Sequence, residues 1–143
     1  MIKKAQHCVY EIHYHLVIVM KYRHKILVKE KYINHLCNLL EEIAERYEFE
    51  IEEIGCDGDH VHILLSSPPR YSPSRVMQII KSITAKKMFK KFPEIKRKLW
   101  GGELWSDGGY VGTVGQYKNL EGMIKYIQKQ GMKFRKQTRL TNF

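Results

Sequence analysis

At 143 residues, with 43% hydrophobic and 28% charged side chains, the chain has the length and makeup of one globular domain able to bury a core. Its 25 lysines and arginines against 15 acidic residues leave a formal charge of +10, which favours a polyanionic partner. No apolar run has the length of a membrane span, and Met1-Ile2-Lys3-Lys4 leads into no signal-peptide core, so a cytoplasmic protein with no membrane segment is expected.

The segment from Tyr10 to Met20 alternates and is rich in aliphatic and aromatic residues, which predicts a strand. Ile33, Leu36, Leu40, Ile43 and Tyr47 recur at helical spacing with charges between them, so an amphipathic helix follows. Phe49 and Ile51 alternate with Glu50 and Glu52 in a second strand; Asp57-Gly58-Asp59 is a turn signal, and His60 to Ser66 returns as a third. Pro68-Pro69 ends it. Ser72-Pro73 has the form of an N-cap with proline at the first helical position, and Val76, Ile79, Ile80 and Ile83 supply that helix with a buried stripe until Phe92-Pro93 stops it. Gly101-Gly102 and Gly108-Gly109 bracket an aromatic segment, and Tyr110-Val111 opens a fourth strand. Leu120, Met123, Ile124 and Ile127 form the core face of a final helix, and residues 133–143 read as a loose basic tail. The order β-α-β-β-α-β-α predicts an α+β fold over residues 1–143: a ferredoxin-like (RRM-like) antiparallel sheet, helices on one face, plus an appended C-terminal helix carrying Tyr126. Cys8, Cys37 and Cys56 are scattered, lack C-x-x-C spacing, and read as buried thiols.

His60-Val61-His62 places two imidazoles on one face of the third strand, because strand side chains alternate with period two. On the last helix Tyr126 and Gln130, four residues apart, share one flank. Strand and helix together could offer two imidazoles and an amide oxygen to a divalent ion, with a phenol beside it. All three donors are neutral, leaving the ion its full charge for a phosphate. His-x-His is also common on half-exposed strands that hold no metal. His13-Tyr14-His15 repeats the pattern on the first strand, where His15 is a candidate to support the pair from behind. Tyr126 is equally readable as a boundary residue with a packed ring and a wet hydroxyl.

Taken in order, Tyr14-His15-Leu16-Val17 with Lys21-Tyr22-Arg23, Asp59-His60-Val61-His62, Pro68-Pro69-Arg70-Tyr71-Ser72-Pro73-Ser74, Leu104-Trp105-Ser106, Val111-Gly112-Thr113-Val114-Gly115 and Tyr126-Ile127 with Gln130 resemble the single-tyrosine HUH transposases of bacterial and archaeal insertion sequences, together with their REP-associated relatives. The resemblance covers most of the chain. It departs from the family at Ile18-Val19-Met20, where many relatives carry a tryptophan and a proline. It implies His60, His62 and Gln130 as metal ligands for Mg²⁺ or Mn²⁺ and Tyr126 as a nucleophile forming a 5′-phosphotyrosine. It further implies a homodimer that recognises DNA hairpins and cuts single-stranded DNA, the tyrosine helix acting in its own subunit or in the partner, with Gly112 and Gly115 as hinges.

Lys86, Lys87, Lys90, Lys91, Lys96, Arg97 and Lys98, interleaved with Phe89, Phe92 and Trp100, suit a single-strand or hairpin DNA surface, which Arg70, Arg75 and Lys81 would extend; Lys21 and Arg23 are further candidates. Such a charge run is also what a solvated helix end carries. Two other function classes compete: a non-catalytic nucleic-acid-binding module of the same fold, and a two-histidine phosphoesterase, whose usual pair of H-x-T or H-x-S motifs is missing here.

Overall fold

Strand β3 (His13–Val19) is the pivot of the sheet, and the hydrophobic alternation of Tyr14, Leu16 and Ile18 decides which way it faces. The computed structural model describes residues 2–4, 8–99 and 102–114. A short ribbon, β1 (Lys3–Lys4) with β2 (Val9–Tyr10), precedes β3. After it come α1 (Glu30–Tyr47), β4 (Glu50–Asp57), β5 (His60–Ser66), α2 (Pro73–Lys91), α3 (Pro93–Lys98) and β6 (Tyr110–Val114). The main sheet has four strands in the order β4-β5-β3-β6, every pairing antiparallel. That order and the β-α-β-β-α-β succession are the predicted α+β, ferredoxin-like arrangement.

Leu16 and Ile18 of β3, Ile54 of β4, and Val61, Ile63 and Leu65 of β5 pack into one core with Ile33, Leu36, Leu40 and Ile43 of α1 and Val76, Ile79 and Ile80 of α2. The helices therefore cover one face of the sheet, and parity sends His15, His60, His62 and Glu53 to the other. Two local signals act as expected. Ser72 Oγ accepts the Arg75 amide at 3.1 Å with Pro73 in the first turn of α2, and Gly58 adopts a left-handed φ of 64° in the tight β4–β5 turn.

Three details differ from the sequence reading. The first strand begins at His13, since Tyr10 belongs to the outer ribbon and the Ile12 carbonyl turns to accept the Ser67 amide at 3.1 Å. Pro93 does not merely stop α2; it opens α3, because proline suits a first helical turn. Cys8 is exposed beside the ribbon, whereas Cys37 and Cys56 are buried. Gly112 lies inside β6 opposite His15, where an added Cβ would meet the ring of the exposed Tyr110. The final helix with Tyr126 and Gln130, Gly115, Trp100 and the 133–143 tail lie outside the described residues. No helix among the described residues is long and apolar enough to cross a membrane.

Candidate active site

Antiparallel pairing sets the site. His62 stands opposite Val17 and Gly55, and His60 opposite Val19 and Asp57, so both imidazoles rise from the face away from the helices. Their ring centroids are 5.1 Å apart at an interplanar angle of 66°. Each ring is held through Nδ1. The His60 Nδ1–H donates to Asp59 Oδ1 at 2.6 Å, and His62 Nδ1 lies 3.0 Å from Nε2 of His15. His60 therefore keeps a lone pair on Nε2, and His62 does so whenever its Nδ1 is the donor towards His15.

His62 is 6% exposed, and burial, followed by the proximity of His15 and His60, pushes its pKa down to about 4. Burial alone lowers that of His15. At neutral pH both rings are uncharged, which is the form that binds a cation. His15 Nδ1 is buried with no hydrogen-bond partner among the described residues. A proton on that atom is the one that lets His15 Nε2 accept from His62. The donor set thus fits a divalent ion held by His60 and His62. Among the described residues no cluster of three or more His, Cys, Asp or Glu is arranged to hold a metal.

The first H-x-H divides its two rings. His15 supports His62, whereas His13, at the far end of the β3–β5 ladder, bonds Glu52 at 2.7 Å. Burial pushes the Glu52 and Glu53 carboxyls upward.

The basic candidates separate into two kinds. Lys86, Lys87, Lys90 and Lys91 are carried on the last turns of α2, and the first three line a cavity of about 450 Å³ with Arg46, Ser82 and Ile83. This surface belongs to the helical layer, on the opposite side of the sheet from His60 and His62. Lys81, Arg70, Arg75, Lys21 and Arg23 instead have protein partners. Lys81 Nζ donates to the carbonyls of Ser106, Asp107 and Gly108 at 2.7, 3.3 and 3.1 Å, tying down the approach to β6. Arg70 pairs with Glu48 and lies over Tyr71, Arg75 bonds Gln78, Lys21 pairs with Glu103 at 2.9 Å, and Arg23 with Asp59 at 3.0 Å. Phe92 is buried against Tyr32, so it is not available to stack on bases, and Phe89 is partly buried.

The family profile described as "Transposase IS200 like" matches residues 8–130. The chain belongs to the IS200-like transposase family. This IS200-like transposase is 37% identical over 129 residues to the ISDra2 transposase TnpA of Deinococcus radiodurans, covering 90% of each chain. It is 33% identical over 128 residues to the transposase for insertion sequence element IS200 of Salmonella typhimurium, covering 90% of this chain and 82% of the other. A crystal structure from Deinococcus radiodurans, described as a candidate transposase, aligns with a TM-score of 0.71 at 34% identity over 90% of this chain and 97% of that one. A REP-associated tyrosine transposase bound to a REP hairpin shares the fold, with a TM-score of 0.58 at 16% identity over 87% of this chain and 70% of that one.

In the IS200-like transposase the residue that sequence reasoning passes over is Asp59. Along the chain it reads as part of a turn and of the Asp59-His60-Val61-His62 motif, with no role of its own, yet its carboxylate bonds both His60 and Arg23. The available signal is its position directly before the H-x-H, where a hairpin turn can fold an acid back onto the first imidazole.

Proposed function

We propose that this transposase cuts and rejoins single-stranded DNA at insertion-sequence ends through a 5′-phosphotyrosine, with Tyr126 as nucleophile and His60, His62 and Gln130 holding Mg²⁺ or Mn²⁺. The observation that carries the reading is the pair of imidazoles on one sheet face, each tethered through Nδ1. The Tyr126 oxygen attacks the scissile phosphorus, the bond to the 3′ oxygen breaks, and the phenolic proton is released while the 3′ hydroxyl gains one. Rejoining reverses these changes, so the bond energy is conserved and no nucleotide is consumed. When bound, the divalent ion supplies positive charge to the phosphate as negative charge develops there. His60 and His62 hold their positions because Asp59 and His15 occupy their other nitrogens.

The lysines at the end of α2 suit the phosphates of a DNA hairpin, while the histidine face takes the single strand, which assigns the two parts of a substrate to opposite sides of one sheet. Arg70, Arg75, Lys81, Lys21 and Arg23 would add phosphate contacts only by exchanging their present partners. A homodimer, with the tyrosine helix serving its own or the partner's histidines, completes the reading.

The test incubates the protein with labelled single-stranded oligonucleotides carrying the host's candidate hairpin ends and Mg²⁺ or Mn²⁺, beside Tyr126→Phe. A metal-dependent, SDS-resistant adduct that disappears in the variant is expected. Hairpin binding with no adduct from a verified substrate, indifferent to Tyr126→Phe, would establish a non-catalytic binding module instead.

A further inference from the structure

Three observations converge on the turn that follows β3. The backbone at Tyr22 (φ 57°) and Arg23 (φ 54°) is left-handed at two successive residues with side chains, a conformation such residues rarely adopt. The turn delivers the Arg23 guanidinium to Asp59, Nε donating to Oδ2 at 3.0 Å. Asp59 is pinned on its remaining sides: its carbonyl accepts the Met20 amide at 2.7 Å, its amide donates to the Asp57 carbonyl at 2.6 Å, and Oδ1 accepts from His60. Every polar group of Asp59 is therefore engaged, and the only one that leads towards the candidate metal site is Oδ1.

We propose that Asp59 and Arg23 are positioning residues: Asp59 selects the His60 tautomer with the proton on Nδ1 and the lone pair on Nε2, and Arg23 holds that carboxylate in place from a turn strained for the purpose. This rests on reading His60 as a metal ligand. A carboxylate accepts only, so it stabilises one of the two neutral imidazole tautomers over the other. A ligating histidine needs that tautomer fixed before the ion arrives. Arg23 reaches Asp59 through Nε of a planar fork; a lysine retains the charge but not that donor geometry. Arg23 therefore serves the imidazole first. It differs in this from a phosphate contact, for which charge alone would suffice.

The experiment compares the native chain with Asp59→Ala, Asp59→Asn, Arg23→Ala and Arg23→Lys. Three readouts are taken: Mn²⁺ affinity by calorimetry without DNA, the His60 ring-nitrogen shifts by ¹⁵N NMR, and hairpin affinity without metal. The Asp59 variants are expected to weaken Mn²⁺ binding roughly 10- to 100-fold and to mix the His60 tautomers. Arg23→Lys should weaken Mn²⁺ binding in the same direction as Arg23→Ala, with hairpin affinity unchanged in both. An unchanged tautomer and unchanged Mn²⁺ affinity in the Asp59 variants would overturn the proposal. So would Arg23 variants that lose hairpin affinity while keeping native Mn²⁺ binding, since that is the behaviour of a phosphate contact. A native chain that takes up no Mn²⁺ would defeat the metal reading on its own, and the ¹⁵N shifts would still decide whether Asp59 selects the tautomer.

Discussion

Nε2 of His15 lies 3.0 Å from Nδ1 of His62, the two rings stacked with centroids 5.2 Å apart and planes 21° from parallel. A residue of β3 thereby orients a residue of β5 across a ladder in which neither is directly opposite the other. Deleting the hydrogen bond while keeping the ring isolates its worth. His15→Phe should retain the fold and lower Mn²⁺ affinity about tenfold or more, because the His62 ring loses its tether. Calorimetric titration checks this; native affinity in the variant would mean that His15 only packs.

Acid should loosen the fold through the same pair. The folded-state pKa of His62, about 4, and that of His15, also lowered by burial, lie below the ordinary imidazole value of ~6.5 that the unfolded chain has. The stability they contribute is complete above that value and is lost as the pH falls towards 4, by about 3 kcal/mol at most for His62. Glu52 and Glu53, which burial pushes upward, act in the opposite sense, favouring the fold as they protonate. Urea unfolding between neutral pH and pH 4 should show a net loss that is shallower in His62→Gln. Parallel curves for the two proteins would refute the assignment.

Replacing Lys86, Lys87, Lys90 and Lys91 by glutamine should weaken hairpin DNA binding most at low salt. It should also flatten the dependence of log affinity on log salt by about 0.7 to 0.9 for each phosphate that is no longer neutralised. Cleavage at saturating DNA should persist, because these side chains sit on the helical layer and the histidine pair on the other sheet face. Filter binding over a sodium chloride series measures the slope, and an unaltered slope would place the hairpin elsewhere.

The loop that pairs with the end of β3 carries a buried side-chain hydrogen bond to α2. Trp105 Nε1–H donates to Thr84 Oγ1 at 2.9 Å, and Thr84 Oγ1–H donates in turn to the Ile80 carbonyl at 2.6 Å. Thr84→Val leaves the indole N–H buried without an acceptor, a loss of roughly 1–3 kcal/mol. Adding Trp105→Phe should cost less than the sum of the two single changes, since the orphaned donor is then gone. Thermal melts of the three variants decide.

Much of this is legible from residue order. Strand alternation in His60-Val61-His62 puts both imidazoles on one face whatever they pack against, and Ser72-Pro73 and Gly58 carry their own local geometry. Phe92 is a different case, because a ring between lysines looks exposed until α3 folds back and places it against Tyr32. Lys81 reads as one of the DNA-facing cations because its carbonyl partners lie 25 to 27 residues away along the chain.

By itself the sequence determined the β-α-β-β-α-β order of the main sheet and its covering helices, the shared face of His60 and His62, and the ordered motifs that mark an IS200-like transposase, because period, capping and turn chemistry act between near neighbours. Only the tertiary structure decided which histidine supports which: His15 serves His62 and His13 serves Glu52, though the two form one motif. It also decided that Arg23 and Asp59 meet behind His60, and that the lysine surface and the histidine pair occupy opposite sides of the sheet. These relationships follow from the register between strands and from a left-handed turn, and neither is written in the spacing of residues along one segment.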